Sequence, residues 1–293
     1  MNFNERKPFY HVFKTLTMKV VITAAGMGTR LLPMTKELPK EMMPVFSNIC
    51  GKKCVIPLLQ LIFEQMYKCK INKYCFIVGR GKRSIEDHFT PDYSFLKNSL
   101  LKNKNMISDF YKKIDNSNLL WVNQNNPRGF GDAVKQSEQF IGNDEFIVHA
   151  GDVSIINTKK HPVLRLIEAG KDPNVAAVLL FRKVVDPKRH GVPTLEKINN
   201  EKFLVKKVIE KPNNPTSNLG LMPLYYFKST ILEKLKKIKP GKGNEFQLTD
   251  AIQKLISDGE KVLAIPLMNK EKVLDVGTVE SYQDAQMNSF KFV

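Results

Sequence analysis

Long apolar runs are missing from this 293-residue sequence. No stretch of about 18 consecutive apolar residues occurs, so a transmembrane helix is not expected. The first 25 residues also lack an apolar segment of signal-peptide length and carry charged residues such as Arg6, Lys7 and Lys14 instead. We therefore expect a cytoplasmic protein without a membrane partner.

Cysteine is scarce, with four residues in the whole chain. Their spacing, C-x3-C-x14-C-x5-C, lacks the paired C-x2-C of ribbon-type zinc sites, so a zinc site is disfavoured without being excluded. Cys69 falls near a predicted helix end and Cys75 inside an apolar strand, where a free cysteine often packs as a small hydrophobic residue. The other two cysteines are Cys50 and Cys54.

No repeat of solenoid period and no low-complexity linker divides the chain. A composition that is 42% hydrophobic is ample for a sizeable core, and we expect residues 18–293 to form one large domain. Residues 1–17 show no clear periodicity. They form either an appended arm or a segment upstream of a native start at Met18, and we favour the native start.

Acidic residues are few: the chain has 29 of them and 46 lysines and arginines, which gives a net charge of +17. This excess makes nucleic acid a rival partner. The lysines are scattered over the chain rather than clustered, so a lysine-rich solvated surface explains them at least as well. We expect no nucleic-acid partner.

Short apolar runs alternate with longer segments of helical periodicity, which predicts an α/β fold with a mostly parallel, mixed central sheet flanked by helices. The predicted strands are Lys19–Ala25, Tyr74–Val78, Leu119–Asn123, Phe146–His149, Val175–Phe181, Phe203–Ile209, Leu224–Phe227 and Val262–Pro266. The predicted helices are Ile56–Tyr67, Ser84–Phe89, parts of Ser94–Ile114, Asp132–Phe140, Pro162–Ala169, Ser229–Ile238, Gln247–Ser257 and Val279–Phe290.

The loop after the first strand is rich in glycine and cations. Gly26 and Gly28 allow a ligand to approach the backbone closely, and Arg30 can hold a phosphate through two parallel hydrogen bonds. Pro39 stiffens the segment that carries Lys40. Because cations this dense repel one another unless an anion joins them, the loop predicts a polyphosphate ligand, although G-x-G-x-R alone also fits a simple turn.

Three further loops follow predicted strands, where ligands bind in open α/β sheets. Gln124 offers donors and an acceptor that can read a pyrimidine, and Asp132 is a candidate helix cap. Asp152 follows an apolar strand, and "VLDVGT" supplies Asp275 in a similar setting; together they predict a site for a hard cation such as Mg²⁺. Glu210 can accept hydrogen bonds from sugar hydroxyls beside a lysine. Each loop taken singly also fits a simple turn or strand end.

The motifs occur in a specific order: G-x-G-T-R, T-K-x-x-P-K-E-M, Q-x4-G-x-G-x-A, G-D-V, H-G-V, E-K-P, S-N-L-G and E-F-Q-L-T-D-A. From Met18 to about Phe290 the chain resembles the prokaryotic-type UTP:glucose-1-phosphate uridylyltransferases, or UDP-glucose pyrophosphorylases. The segment "TKELPKEM" is similar to these enzymes rather than to the related thymidylyltransferases. Asp132 and Arg128 stand where bacterial members usually have histidine and lysine, which favours an archaeal variety and puts base discrimination in question.

The resemblance implies a nucleotide-diphospho-sugar transferase (Rossmann-like) fold, with UTP over the first loop and Mg²⁺ on Asp152 and Asp275. It implies catalytic cations at Arg30, Lys40 and Lys211. The implied nucleotide-binding residues are Ala25, Gly26, Gly28, Thr29, Glu41, Gln124 and Gly129. The implied glucose contacts are Gly191, Glu210 and Asn218. No role is assigned to Glu245–Ala251.

The implied reaction is attack by a phosphate oxygen of glucose 1-phosphate on the α-phosphorus of UTP, with UTP bound first. It needs neither a protein nucleophile nor a general base, which agrees with the lack of a Ser-His-Asp or Cys-His arrangement. The resemblance also implies a homodimer or homotetramer. Alternatives are a thymidylyltransferase or another sugar-1-phosphate nucleotidylyltransferase, and a non-catalytic regulatory or nucleic-acid-binding homologue.

Overall fold

A large mixed sheet runs through the computed structural model, whose described residues are 18–49, 51–98 and 102–292. The 1–17 segment and Cys50 therefore lie outside the described residues. Within the described part, nine strands form the sheet: β1 (Lys19–Ala24), β4 (Lys73–Val78), β5 (Asn118–Asn123), β6 (Phe146–Ala150), β8 (Val175–Lys183), β9 (Gly191–Lys197), β10 (Phe203–Glu210), β11 (Leu219–Phe227) and β12 (Lys261–Pro266). Their order across the sheet is β5-β4-β1-β6-β11-β8-β12-β10-β9.

Helices cover both faces of this sheet. Alternate residues of β1 enter opposite cores, because Val20 and Ile22 belong to one cluster of buried side chains and Val21 belongs to the other. A strand buried on both faces reads as a continuous apolar run rather than an alternating one, as "VVI" does here. The helices are α1 (Leu58–Lys68), α2 (Arg83–His88), α3 (Tyr93–Leu96), α4 (Lys104–Asp115), α5 (Phe130–Lys135), α6 (Glu138–Ile141), α7 (Pro162–Gly170), α8 (Thr230–Lys237), α9 (Leu248–Ser257) and α10 (Val279–Phe292).

Two small antiparallel ribbons complete the described architecture. One pairs β2 (Pro44–Ile49) with β3 (Lys52–Pro57), and the other pairs β7 (Val153–Ile156) with β13 (Lys272–Asp275). Helix α10 packs against both β13 and β2. The second ribbon joins segments that are far apart in sequence, and it fixes one wall of the cleft described below.

All eight predicted strands are present, and the prediction of a mixed sheet flanked by helices is confirmed. Among the eight neighbouring pairs of the described sheet, four are parallel and four antiparallel, so parallel pairing is less dominant than the sequence indicated. Five strands were not predicted: β2, β3, β7, β9 and β13. No helix in the described residues is long and apolar enough to cross a membrane.

Two predicted helices have different limits in the structure. The helix expected from Ile56 begins at Leu58, because Ile56 and Pro57 pair with β2 instead. The segment expected as one helix from Asp132 to Phe140 forms two short ones, α5 and α6. Cys69 and Cys75 are buried in the two cores, as expected for cysteines that act as small hydrophobic residues.

Candidate active site

An open cleft of about 1040 Å³ lies over the loops that follow β1, β5, β6 and β8. Segments from the whole length of the described chain line it, from Thr23 to Asp284. The predicted site residues that line it are Ala25, Gly26, Arg30, Lys40, Glu41, Gln124, Gly129, Asp152, Gly191, Glu210, Lys211 and Asp275. Gly28, Thr29 and Asn218 do not line it. The cleft thus gathers most of the residues that the sequence singled out.

The loop after β1 folds into three short 3₁₀ turns rather than an extended arm. Gly28 initiates the first turn with φ at 67°, a left-handed conformation that favours glycine, and its carbonyl accepts a hydrogen bond from Thr35 Oγ1 at 2.7 Å. The third turn starts at Lys40. A Cβ on Gly26 would lie 3.4 Å from the Lys40 ammonium, so the glycine leaves that cation open to the cleft.

Lys40 and Asp152 both line the cleft and form an ion pair, with 2.5 Å between Nζ and Oδ2. Their side chains are only 15% and 19% exposed. Burial disfavours both charges, but each charge stabilises the other: the pKa of Lys40 is raised and that of Asp152 is lowered. Both groups are therefore ionised at neutral pH.

Asp275 lies beside Asp152 because the β7–β13 ribbon aligns their chains. Asp275 is the register partner of Val153, and Val276 N–H donates to the Asp152 carbonyl at 3.0 Å. Burial, together with the negative charge of Asp152, raises the pKa of Asp275. Two close carboxylates in a cleft favour a cation between them, and Mg²⁺ beside phosphates needs one or two protein carboxylates. The donor set therefore fits such an ion.

A second buried ion pair lies next to Lys40 and involves Glu41, which also lines the cleft. Glu41, 1% exposed, accepts a hydrogen bond from Lys82 at 2.9 Å. Burial raises the pKa of Glu41, and the Lys82 ammonium opposes that effect. Lys82 was not among the predicted site residues, although "GRGK" directly after the predicted strand Tyr74–Val78 carried the same glycine-and-cation signal as the first loop.

The loop after β5 holds a chain of three polar side chains. Gln124, 4% exposed, donates through Nε2 to Asp132 Oδ2 at 2.7 Å, and Asp132 accepts a second bond from Arg128 at 2.8 Å. Asp132 is inside α5 and makes no capping bond there, because Gly129 occupies the N-cap position. The predicted capping role of Asp132 is therefore wrong.

The segment Glu245–Ala251, which had no assigned role, joins the two ends of the cleft. Phe246 exchanges backbone hydrogen bonds with the β5–α5 loop: its N–H donates to the Arg128 carbonyl, and its carbonyl accepts from Gly131 N–H. Gly129 is required at this contact, because its φ is 112° and a Cβ there would lie 2.8 Å from the Phe246 carbonyl oxygen.

At its other end the same segment supports Glu210. Thr249 Oγ1 donates to Glu210 Oε2 at 2.7 Å. A Cβ on Gly191 would lie 2.6 Å from Thr249 Cγ2 and 3.3 Å from Glu210 Oε2, so only glycine fits there without displacing them. Glu210 does not reach the cleft at the end of a parallel strand, as the sequence suggested, because β10 is antiparallel to both of its neighbours.

Two arginines and a histidine that the sequence did not single out also line the cleft: Arg182, Arg189 and His190. The Arg182 side chain makes no hydrogen bond with any described residue, and its Nε is fully buried without a partner. Burial lowers the pKa of Arg182, with Asp275 opposing the effect. Arg182 is therefore a cation of the cleft whose side chain has no carboxylate partner among the described residues.

Comparison with known proteins identifies the chain's relatives. The profile of the nucleotidyl transferase family matches residues 19–291. The chain belongs to the nucleotidyl transferase family. A UTP–glucose-1-phosphate uridylyltransferase of Streptococcus pyogenes is 35% identical over 248 residues, which are 82% of this nucleotidyl transferase and 79% of the relative.

Solved structures of related nucleotidyl transferases share the fold. A crystal structure of a UDP-glucose pyrophosphorylase complexed with UDP-glucose matches with a TM-score of 0.81 at 29% identity, covering 94% of this chain and 99% of that one. A UTP-bound UDP-glucose pyrophosphorylase from Acinetobacter baumannii matches with a TM-score of 0.78 at 25% identity, covering 93% of each chain. The family resemblance and the fold predicted from the motifs are confirmed.

Proposed function

We propose that this nucleotidyl transferase is a UTP:glucose-1-phosphate uridylyltransferase, which converts UTP and glucose 1-phosphate to UDP-glucose and pyrophosphate. The observation that carries the proposal is the convergence of three elements in one cleft: a glycine-rich cationic loop, a pair of carboxylates, and a glutamate beside a glycine. The named relatives carry out or bind the components of this reaction.

The chemistry requires two phosphates to meet. An oxygen of the sugar phosphate forms a bond to the α-phosphorus of UTP while the bond to the β-phosphate oxygen breaks, and pyrophosphate leaves. The attacking oxygen is already ionised, so no protein base is needed. Catalysis then consists of alignment and charge neutralisation, for which Arg30, Lys40 and Lys211 are placed around the cleft.

Asp152 and Asp275 are the residues that would hold Mg²⁺, which supplies positive charge next to the triphosphate. Lys40 is paired with Asp152. Its ammonium would also attract the negative charge of a triphosphate in the cleft, so Lys40 would link the triphosphate to the carboxylate pair.

Glu210 is proposed to accept hydrogen bonds from glucose hydroxyls, and Gly191, which lets Glu210 and Thr249 pack closely, is proposed to contact the sugar through its backbone. Lys211 lies next to it, 3.4 Å from Glu210 Oε1 by its ammonium, and is proposed to bind the sugar phosphate. Ala25, Gly26, Glu41, Gln124 and Gly129 would surround the nucleotide. Three predicted contact residues do not line the cleft: Gly28, Thr29 and Asn218. Their roles in binding the nucleotide or the sugar stay predictions.

The test is pyrophosphate release from purified protein supplied with UTP, glucose 1-phosphate and Mg²⁺, with each component omitted in turn. Asp152→Asn is expected to abolish turnover, whereas Asp258→Asn, at an exposed carboxylate paired with Lys234, keeps it. Faster turnover with dTTP than with UTP would replace the uridylyltransferase by a thymidylyltransferase. No release with any nucleoside triphosphate and sugar phosphate would overturn the enzymatic proposal.

Three accompanying expectations have their own measurements. A homodimer or homotetramer is tested by light scattering on the eluted protein. Cytoplasmic location is tested by fractionation of the native cells. The expected lack of a nucleic-acid partner is tested by binding to labelled RNA and DNA at physiological salt, where retention that survives competition would contradict it.

A further inference from the structure

Arg128, Asp132 and Gln124 form a chain of hydrogen bonds beside the cleft. A glutamine amide has an oxygen that accepts and a nitrogen that donates, and the two can exchange places by rotation. Asp132 Oδ2 lies 2.7 Å from one end of this amide. An ionised carboxylate only accepts hydrogen bonds, so the end next to it must be the nitrogen.

The carboxylate is held in this role by its surroundings. Asp132 is 3% exposed, and the Arg128 guanidinium donates to its other oxygen at 2.8 Å. Arg128 in turn lies over the Phe246 ring, 5.2 Å from its centroid. The arginine thus places an opposite charge next to the buried carboxylate.

The remaining contacts of the amide agree with this orientation. Nε2 also approaches the Gly129 carbonyl oxygen at 3.4 Å, a long contact that again requires a donor at that end. The Gln124 Oε1 atom makes no hydrogen bond with a described residue, and it is not one of the fully buried side-chain atoms without a partner. Gln124 lines the cleft, so this oxygen is an acceptor left available for a ligand there.

We propose that Asp132 is a positioning residue for base selection: it fixes the Gln124 amide with its oxygen towards the nucleobase, so that the site selects a base that donates a ring N–H. Uracil and thymine donate at N3. Cytosine in the same pose presents a lone pair at N3, which faces the Gln124 oxygen without a proton between them. The proposal rests on the proposed function, in which Gln124 faces the base.

The decisive variant is Asp132→Asn. The asparagine amide can donate as well as accept, so the Gln124 amide is free to rotate and donate to N3 of cytosine; only the long contact to Gly129 still favours the original orientation. The ratio of kcat/KM for UTP to that for CTP is expected to fall about 10- to 100-fold. The reason is that CTP exchanges a contact between two acceptors for a buried hydrogen bond. The change is expected in KM more than in kcat.

The ratio is measured within one protein sample, so a partly unfolded fraction cancels. Asp132→Ser, whose hydroxyl also donates or accepts, is the second variant should Asp132→Asn not fold, and the same fall is expected. Asp258→Asn is the matched control and keeps the wild-type ratio. An unchanged ratio in the Asp132 variants, even with both KM values raised equally, would overturn the proposal and leave Asp132 a structural residue. If wild-type protein transfers no uridylyl group at all, it is the proposed function that fails.

Discussion

Removing Lys40 tests how much the Lys40–Asp152 ion pair contributes to stability. Lys40→Met keeps the length of the side chain and leaves Asp152 without its cation. Two unit charges 2.5 Å apart attract by about 7 kcal/mol at an effective dielectric constant of 20. The uncharged methionine avoids the cost of removing an ammonium from water. The Asp152 carboxylate, however, stays buried without a cation, and breaking a buried ion pair in this way costs about 3–5 kcal/mol. Because the two side chains keep 15% and 19% exposure, we expect about 3 kcal/mol.

The assay is urea unfolding in EDTA, so that no divalent cation binds the freed carboxylate. The double variant Lys40→Met/Asp152→Asn removes both charges and should recover about 2 kcal/mol of the summed losses. Lys206→Met, at a half-exposed pair with Glu196, is the control and should leave the unfolding midpoint unchanged. The reasoning would be refuted if each single variant lost less than about 0.5 kcal/mol of unfolding free energy and the two losses added up in the double variant. Two groups that interact do not give additive losses.

Three further predictions address the sugar side, the backbone and acid stability. Thr249→Val removes the donor to Glu210, and KM for glucose 1-phosphate should rise about 5- to 10-fold while KM for UTP is unchanged; an equal rise in both would contradict it. Gly129→Ala should lower stability by about 2 kcal/mol, measured by urea unfolding, because φ is 112° and the new Cβ meets the Phe246 carbonyl. Burial lowers the pKa of His161 to about 3. Below pH 6.5 this histidine therefore takes up a proton in the unfolded chain but not in the folded chain. Its contribution to the free energy of unfolding should fall by about 2 kcal/mol from pH 7 to pH 5. His161→Asn, which keeps a helix cap without titrating, should lose correspondingly less over that range.

The main sheet could be predicted because its central strands, such as β1, β4, β6 and β8, are buried on both faces and read as apolar runs. The small ribbons could not. Val153–Ile156 is as apolar as the strand before it and is separated from it by only two residues, and its partner lies more than a hundred residues later in the chain. Such pairing leaves no local signal. Strand β9 escaped prediction because Pro193 argues against a central strand, and β9 in fact lies at the edge, where proline is tolerated.

The cationic and acidic residues of the cleft were predictable where a glycine or a family motif marked the end of a strand, as at Lys40 and Asp152. Arg182 carries no such mark, because it is the second-last residue of the apolar strand β8. It becomes notable only when the structure shows that its Nε has no partner. Thr249 was visible within a motif, but its bond to Glu210 depends on the placement of α9 against β10. Pairwise contacts of this kind follow from packing and not from spacing.

The β7–β13 ribbon has a consequence for synthesis of the protein. Asp152 leaves the ribosome early, but Asp275 is translated 123 residues later. A nascent chain that has already folded its glycine-rich loop still lacks the second carboxylate and one wall of its cleft. Products terminated before Asp275 should consequently bind a divalent cation more weakly than the full-length protein and lack transferase activity.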